Sequence, residues 1–511
     1  MVAKVLSGTA QGIEASPVEV QVDLHLGLPQ FALVGLVEGA VRESKERVRS
    51  ALKNCGYDLP RRKITVNLAP ADQKKGGSAF DLPIAIGILA ATGVIASERV
   101  GDYLFLGELS LDGQVKSVPG VLCIAAAVPH LKLKGIVLPR INANEAAAIK
   151  GIQTIPIETL PEVVDFLNGN LEIPPHVLDP EHEKTPSYLV DLQEIQGQAF
   201  ARRAMEIAAA GRHNILFVGP PGSGKTLLAQ RFPTILSPLT FEESLETTKI
   251  YSVHGLPPSS GLLRHPPFRA PHHTTSDIAL IGGGTELRPG EVSLAHNGIL
   301  FLDELPEFRR NGLEALRQPL EEGVVRIARA SGSITYPSRF LLVAAMNPCP
   351  CGFFTDPTKE CQCLLPQIVR YRSRLSGPLL DRIDLHVEVP PLPSHELLGG
   401  GTGESSARVQ CRVVEAQKIQ RERWRPFEFR WNSEIPLRWL RRLCPLPSQG
   451  KFLMEKAMER LQLSARGFNR ILKVARTIAD LDASEEILPR HLAEAIQLRS
   501  LDRRLQHFER G

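Results

Sequence analysis

The spacing of apolar and polar positions predicts buried strands and a buried helix in this chain. Three short apolar runs, at residues 215–218, 299–302 and 340–346, are each followed by glycine or polar residues, which is typical of strands covered on both faces. The longest apolar stretch, LPIAIGILAATGVIA, occupies residues 82–96. It is shorter than the roughly 20 residues needed to cross a bilayer, so it predicts a buried core helix and no membrane partner.

Breaks in this pattern predict three domains. A chain of 511 residues, 43% of them hydrophobic, allows about three domains of roughly 150 residues each. Residues 171–188 are rich in proline and charge and predict a linker, while the glycines within residues 393–406 predict a mobile crossing. We therefore expect an N-terminal domain at 1–170, a middle domain at 189–392 and a helical C-terminal portion at 393–511.

Charge and the N-terminal sequence narrow the class of protein. The first residues lack the charged start and apolar run of a secretory signal, so a cytoplasmic location with reduced thiols is expected. The net charge of +4 is too small to indicate a nucleic-acid partner by itself. Any such prediction depends on where the charges are placed.

The middle domain contains a P-loop pattern in its required setting, between an apolar strand and a helix. Its glycines allow backbone N–H groups to surround the phosphates of ATP, and the helix directs its positive end at them. Lys225 is expected to reach the β- and γ-phosphates, and the hydroxyl of Thr226 to bind Mg²⁺. The predicted nucleotide-binding residues are Gly219, Pro220, Pro221, Gly222, Ser223, Gly224, Lys225 and Thr226.

Two further strand ends carry candidate catalytic groups. Asp303 and Glu304 end one apolar run, and adjacent carboxylates at the end of a buried strand are costly unless they serve a metal or a reaction. Asp303 is predicted to hold Mg²⁺ and Glu304 to polarise the attacking water. Asn347 ends the next run and is predicted to orient that water. The order of the motifs favours ATP hydrolysis over transfer to a small metabolite.

These motifs, together with AAMNPCPCG and SGPLLDRIDL, resemble the YifB/ComM family of Mg-chelatase-like AAA+ ATPases over essentially the whole chain. The resemblance implies a multidomain α/β protein whose residues 189–392 form an AAA+ P-loop domain and whose residues 393–511 form a helical lid. It also implies a homohexameric ring.

The same resemblance implies roles for two arginines. Arg382 is the expected arginine finger, which neutralises charge on the transferring phosphoryl group of a neighbouring copy. Arg466 is the expected second sensor, with Arg470 as the alternative because it lies one turn further on the same helix face. The competing hypothesis for each arginine is an ordinary ion pair.

The N-terminal segments NLAPADQKKGGSAFDLPIAIGIL and LFLGELSLDGQVKSVPGVLCIAAAV resemble the Lon protease domain, which implies an α+β fold. Ser78 stands where the Lon serine would be, but Leu122 and Ile124 stand where its lysine is expected. A serine hydroxyl without an adjacent base is a weak nucleophile. We therefore expect a Lon-like domain without proteolytic activity.

Four of the eight cysteines fall within fifteen residues of the middle domain: Cys349, Cys351, Cys361 and Cys363. Four soft ligands in a reducing compartment suit tetrahedral Zn²⁺, although the C-x-C spacing is tighter than the usual one. A redox-sensing pair and four unrelated thiols are the alternatives. A metal here would act as a structural clip with no catalytic part.

Several positively charged segments are candidates for contact with DNA. In related proteins an insert, here residues 253–284, and a hairpin, here residues 323–340, point into the ring pore. The resemblance thus implies that four arginines contact a DNA strand threaded through the pore: Arg264, Arg269, Arg326 and Arg329. The alternative is that these arginines lie on ordinary surface loops. The His272–His273 pair lacks a third ligand at useful spacing, so no metal is expected there.

Residues 408–443 contain all three tryptophans, with ten Lys or Arg against four Glu. This alternation of basic and aromatic residues is suited to binding a nucleic-acid strand through base stacking and charge. It is equally suited to helices whose tryptophans pack inward and are covered by the aliphatic parts of arginines.

The function that follows from the resemblance is an ATP-driven hexameric motor on single-stranded or branched DNA. The same resemblance implies a helicase that promotes branch migration during recombination or natural transformation. Two alternatives stay open: a chelatase motor that drives Mg²⁺ into a porphyrin, and a chaperone or scaffold that uses the nucleotide as a switch.

Overall fold

The structure, a computed structural model, describes residues 2–35, 39–72, 75–96, 98–178, 188–284, 287–329, 332–354, 356–357, 359–392, 403–461 and 463–499. Parts of three predicted segments lie outside these residues: 179–187 of the linker, 393–402 of the glycine-rich crossing and 330–331 of the hairpin turn. The chain folds into two compact units. The first unit comprises Met1–Thr185, Thr240–Arg264 and Ala328–Tyr336, and the second comprises Pro186–Leu239, His265–Ile327 and Pro337–Gly511.

Strands occur in both units. In chain order they are β1 (Val2–Gln11), β2 (Glu14–His25), β3 (Gln30–Val34), β4 (Lys63–Ala69), β5 (Tyr103–Phe105), β6 (Glu108–Leu109), β7 (Val115–Lys116), β8 (Gly135–Pro139), β9 (Gln153–Ile157), β10 (Ile215–Val218), β11 (Phe268–Arg269), β12 (Gly282–Gly283), β13 (Arg288–Pro289), β14 (Ile299–Leu302), β15 (Val324–Arg329), β16 (Gly332–Pro337), β17 (Leu341–Met346) and β18 (Leu385–Glu388).

Helices connect the strands and dominate the C-terminal part. They are α1 (Gly39–Asn54), α2 (Asp81–Ala91), α3 (Val121–Ala127), α4 (Ala143–Ala147), α5 (Leu160–Asn168), α6 (Ala199–Gly211), α7 (Lys225–Arg231), α8 (Phe241–His254), α9 (Asp277–Ile281), α10 (Glu291–Leu294), α11 (Arg310–Ala315), α12 (Arg317–Glu322), α13 (Leu365–Arg372), α14 (Gly377–Leu380), α15 (Ser406–Trp424), α16 (Leu437–Leu443), α17 (Ser448–Leu461), α18 (Ala465–Leu481) and α19 (Pro489–Gln497).

The first unit is built on a mixed seven-stranded sheet in the order β3-β4-β2-β1-β5-β8-β9. Strands β1, β2 and β4 pair antiparallel, and the other neighbours pair parallel. In β4 the residues Ile64, Val66 and Leu68 are buried and alternate with more exposed positions, which is the two-residue period of a sheet with one covered face. The predicted buried helix is confirmed as α2, which packs in the core of this unit.

The second unit contains a five-stranded parallel sheet in the order β11-β14-β17-β10-β18. Strands β10, β14 and β17 are buried along their whole length, as expected for central parallel strands covered by helices. Helices α15 to α19 follow the sheet and contribute to the same hydrophobic core. The α/β fold class is thus confirmed, with a mixed-sheet N-terminal part, a parallel central part and a helical C-terminal region.

Parallel strands place their carboxyl ends on one edge of the sheet, and ligands of such sheets bind there. Strand β10 lies between β17 and β18, and β14 lies on the other side of β17. The P-loop after β10, the carboxylates after β14 and Asn347 after β17 are therefore brought to one edge. The hairpin predicted after the carboxylates is present as β15 and β16.

Candidate functional site: the edge of the parallel sheet

The P-loop joins β10 to α7 and is shaped by its glycines. Gly222 and Gly224 have φ angles of 78° and 92°, in the left-handed region that favours glycine. At Gly219 a Cβ atom would lie 2.1 Å from the carbonyl oxygen of Val389, just beyond β18. Only glycine allows this loop to pass so close to the neighbouring strand.

Lys225 lies where the P-loop meets the end of β17. Its Nζ donates to the carbonyl oxygens of Gly219 and Pro220, both at 2.8 Å, and to Oδ1 of Asn347 at 3.2 Å. Burial lowers the pKa of the ammonium group, and the two carboxylates after β14 oppose that shift. Two backbone carbonyl oxygens therefore hold the ammonium group of Lys225 at the P-loop, where it would contact phosphate oxygens.

Thr226 and Asp303 form a pair suited to Mg²⁺. Oγ1 of Thr226 donates to Oδ2 of Asp303 at 2.7 Å, and Oδ1 of Asp303 accepts the N–H of Glu304 at 2.9 Å. A hydroxyl and a carboxylate are the hard oxygen ligands that Mg²⁺ takes alongside substrate phosphates and waters. The residues present therefore fit the ion expected from the sequence.

Glu304 has a left-handed backbone, with φ of 51°, and its side chain meets a histidine. Oε2 of Glu304 lies 3.3 Å from Nδ1 of His273. The His273 ring packs 4.1 Å from that of His272 and edge-on to Phe308, with centroids 6.4 Å apart. Sequence reasoning considered this histidine pair only as a metal site. The apolar strand and adjacent carboxylates that identify Glu304 give no signal for its partner, which comes from the insert.

Arg382 does not project freely into solvent. Its side chain is 7% exposed, and its guanidinium contacts a carboxylate oxygen of Glu321 and the carbonyl oxygen of Pro378. The ion pair that the sequence left as the competing hypothesis is thus present within one chain. Whether Arg382 also serves a neighbouring copy stays a prediction.

The two sensor candidates on α18 differ in burial. Arg466 is largely exposed and lies 3.2 Å from Asp381, whereas Arg470 contacts Asp384, which is buried. Burial opposes the charge of Asp384, but Arg470 and His213 outweigh that effect and hold the pKa of the carboxyl far below its ordinary value. Both arginines are engaged by carboxylates at or just before the start of β18, so their sensor roles stay predictions.

The four predicted zinc ligands lie together. The Sγ atoms of Cys349, Cys351, Cys361 and Cys363 are all within 4.8 Å of one another, and three of the pairs are separated by 3.3, 3.6 and 3.7 Å. A tetrahedral Zn²⁺ with bonds of about 2.3 Å separates its sulfur ligands by about 3.8 Å, whereas a disulfide requires about 2.05 Å. The geometry fits a four-thiolate metal site.

The Cys351 thiol is the easiest of the four to ionise. Burial raises its pKa, but the N–H of Phe353 and the thiols of Cys349 and Cys363 outweigh that effect and lower the pKa to about 6. A thiolate is the form that binds metal. The cluster therefore begins to acquire its charge near neutral pH.

The basic and aromatic segment packs inward. Trp424 and Trp431 are buried, Trp439 is partly buried against the same core, and the guanidinium groups of Arg421 and Arg212 lie 5.1 Å from the centroid of the Trp431 ring. This is the second of the two arrangements expected from the sequence, with arginine stems covering tryptophans.

Two of the four arginines expected to contact a threaded strand are paired with carboxylates. Arg269 forms a bidentate contact with Glu291 at 2.6 and 2.7 Å, and Arg326 lies 2.8 Å from Glu322. Their contact with DNA stays a prediction. Among the described residues, no helix is both long and apolar enough to span a bilayer.

Three family descriptions match successive parts of the chain. Residues 20–142 match "Subunit ChlI of Mg-chelatase", residues 191–397 match "Magnesium chelatase, subunit ChlI", and residues 403–499 match "Magnesium chelatase, subunit ChlI C-terminal".

Similar proteins of nearly the same length occur in bacteria. The chain is 46% identical to the competence protein ComM of Haemophilus influenzae, over 99% of this chain and 98% of that protein. It is 43% identical to the protein YifB of Escherichia coli, over 98% and 97% of the two chains. A shorter stretch, 44% of this chain and 26% of the other, is 23% identical to the DNA replication licensing factor mcm6 of Dictyostelium discoideum.

Proposed function

The chain belongs to the magnesium chelatase subunit ChlI family of ATPases, and from this membership and the edge of the parallel sheet we propose that it is an ATP-hydrolysing motor acting on DNA. The observation that supports ATP hydrolysis best is the meeting of the P-loop with two strand ends, where Lys225 donates to Asn347 and Thr226 donates to Asp303. No single one of these motifs requires hydrolysis. Their convergence supplies groups for phosphate, metal and water together.

In the proposed reaction each group has one task. The P-loop backbone and Lys225 bind the phosphates, and Thr226 and Asp303 would hold Mg²⁺, which would neutralise phosphate charge when bound. Glu304 accepts a hydrogen bond from the attacking water and takes its proton, while the amide of Asn347 orients that water. Placement of charge and of the water supplies the catalysis, with no covalent intermediate on the protein.

We propose that the active assembly is a homohexamer in which Arg382 enters the neighbouring site and Arg466, in the lid formed by the C-terminal helices, senses the nucleotide. Support comes from the placement of Arg382 after α14 in LLDRIDL and from the family. For this role the guanidinium of Arg382 must leave Glu321, so the pair within the chain would be the resting arrangement.

The proposed substrate is single-stranded or branched DNA, and the proposed activity is helicase-driven branch migration during natural transformation. Support comes from 46% identity, over nearly the whole of both chains, to a protein named for competence, and from the partial likeness to a DNA replication factor. The family description favours a second candidate, a motor that assists metal insertion into a porphyrin.

We also propose that residues 1–170 form a Lon-like domain without protease activity. Leu122 and Ile124, which stand where the Lon lysine is expected, are buried apolar residues, so the lysine that would activate Ser78 is missing from those two positions. In the second unit, the cysteine cluster is proposed to hold a structural Zn²⁺.

The decisive experiment is an ATP-dependent unwinding assay on forked and four-way DNA, with the Glu304→Gln variant as the control. We expect strand displacement and DNA-stimulated turnover by the wild-type chain. The variant should bind ATP and displace nothing, because its amide cannot accept the water proton. ATP turnover that DNA does not stimulate, with no strand displacement, would refute the proposed action on DNA but not the proposed ATPase activity.

A further inference from the structure

We infer that the cysteine loop, residues 347–363, is a brace for the nucleotide pocket, so that metal binding at its four thiols and nucleotide binding at the P-loop are thermodynamically coupled. The inference rests on the proposed ATPase function. Three contacts support it, and each joins the loop to a different part of the pocket or its surroundings.

The first contact runs through the backbone. Cys349 is fully buried and stands two residues after Asn347, whose amide oxygen accepts a hydrogen bond from Lys225 at 3.2 Å. A metal bound to Cys349 fixes the backbone that follows β17. The position of the Asn347 amide relative to Lys225 is then fixed with it.

The second contact is steric. Gly352 lies between the paired cysteines in the left-handed region, with φ of 86°, and a Cβ there would lie 2.4 Å from Cδ of Pro221. The turn of the cysteine loop therefore rests directly on the P-loop. Any change in the fold of this turn moves a contact of the phosphate-binding backbone.

The third contact holds the other side of the loop. Nε of Arg372, on α13, donates to the carbonyl oxygen of Pro348 at 3.0 Å, and its guanidinium lies 5.4 Å from the centroid of the Phe354 ring. The loop is thus bound on one side by α13 and on the other by the P-loop. Coordination of one ion by all four thiols would fix the loop between α13 and the P-loop.

Coupling of this kind is reciprocal. If metal stabilises the pocket shape that nucleotide prefers, nucleotide must tighten metal binding by the same free energy. Coupled sites in proteins typically change one another's affinity about 5- to 150-fold. A clip with no connection to the pocket would change neither.

The test uses the full-length chain loaded with Zn²⁺. The Kd for Zn²⁺ is measured by equilibrium competition with a colorimetric chelator, with and without saturating ADP, and ADP binding is measured separately with a fluorescent analogue. We expect ADP to lower the Kd for Zn²⁺ at least about fivefold. Equal Kd values for Zn²⁺ in a chain that binds ADP, or a chain that holds no zinc, would refute the brace. Absence of ADP binding would instead refute the proposed ATPase.

Variants separate the brace from simple destabilisation. Gly352→Ala keeps all four thiols but pushes on Pro221, so it should retain one zinc while losing the effect of ADP on zinc affinity. Gly151→Ala is the matched control, since its φ of 87° carries the same strain and nothing lies within 4 Å of the added Cβ. Equal ADP effects in the two variants would contradict the inference.

A second pair covers the case in which Gly352→Ala does not fold. Cys361→Ser should bind zinc poorly and bind ADP at least about fivefold more weakly. Cys411→Ser removes an exposed thiol outside the cluster and should match the wild-type chain in both measurements. Unchanged ADP affinity in a zinc-free Cys361→Ser chain would refute the brace.

Discussion

Glu304 combines a strained backbone with a defined partner. A non-glycine residue at φ of 51° costs on the order of 1 kcal/mol, and such residues persist where the surrounding structure holds them. Here the N–H of Glu304 donates to Asp303, and its carboxylate meets His273. Glu304, the residue proposed to receive the proton of water, is therefore held by two neighbours, one on its own strand end and one on the insert.

His273 is predicted to position Glu304. His273→Ala should lower kcat for ATP hydrolysis roughly tenfold or more, because misplacing a general base weakens proton transfer in the transition state. The Kd for ATP should stay unchanged, since the ring contacts the carboxylate and two aromatic rings. Turnover kinetics and equilibrium nucleotide binding check the two halves separately.

His273→Asn is the informative companion, because its amide N–H can still donate to the carboxylate. Partial recovery of kcat relative to His273→Ala is expected. A variant pair that changes ATP affinity but leaves kcat intact would assign His273 to nucleotide binding instead.

The P-loop and the strand ends were predictable at the residue scale because each is a contiguous motif. Lys225 and Thr226 follow the glycines directly, and Asp303 follows its own strand. The pairing of His273 with Glu304 and that of Arg382 with Glu321 depend on long-range folding. No local pattern records them, and a lone histidine or arginine has too many ordinary uses.

At the scale of elements, helix α18 is anchored to the start of β18 by one buried charge pair. Asp384 is 3% exposed and Arg470 contacts it, while Arg466 is largely exposed beside Asp381. The two arginines share a helix face, as the spacing predicts, but burial makes them energetically unequal. Breaking a buried pair leaves an uncompensated charge, whereas surface pairs contribute little.

Arg470→Ala is predicted to destabilise the fold by about 3 kcal/mol, and Arg466→Ala by less than about 1 kcal/mol. The pKa of Asp384 is lower in the folded chain than in the unfolded one, so its pairing stabilises the fold above pH of about 4 and is lost as the pH falls below that value. Thermal unfolding from pH 7 down to about pH 3 checks both points.

Arg470→Ala should accordingly lose less stability on acidification than the wild-type chain does. Arg466→Ala serves as the control and should follow the wild-type profile. Equal destabilisation by the two substitutions would contradict the ranking by burial.

One helix packs in a different unit from the elements that precede it in the sequence. Helix α8 follows the P-loop helix in the chain but packs in the first unit, where Ser252 accepts the N–H of Gly120 through its carbonyl oxygen and donates its hydroxyl to Glu145. Its capping box at Thr240 fixes where the helix begins, but contacts between residues far apart in the sequence decide which unit it packs in.

At the scale of the whole molecule, the sequence resemblance extends along nearly the entire chain, and the family matches follow the same order. That agreement supports a common fold. The site of one chain contains the groups proposed for phosphate, metal and water. Within the described residues, the arginine proposed for the transferring phosphoryl group is held by Glu321, so the single chain is expected to be a poor ATPase.

Arg382→Ala is therefore predicted to act on its neighbour. When the variant is mixed with the Glu304→Gln chain, ATPase activity should appear although each chain alone is nearly inactive, because some sites then combine an intact Glu304 with the intact Arg382 of a neighbour. Removal of an arginine finger reduces kcat by about 10³-fold or more, so the pure variant should be nearly inactive while still binding ATP. The measurement is ATPase activity at fixed total protein as the ratio of the two chains is varied.

Glu321→Gln provides the matched test, because it frees the guanidinium without removing it. If the pair is the resting arrangement, this variant should hydrolyse ATP at least as fast as the wild-type chain and should reach full activity at lower protein concentration. Absence of activity in the mixtures of Arg382→Ala and Glu304→Gln chains, together with full activity of a chain that sediments as a monomer, would place hydrolysis within one subunit and remove the arginine of the neighbour from the reaction.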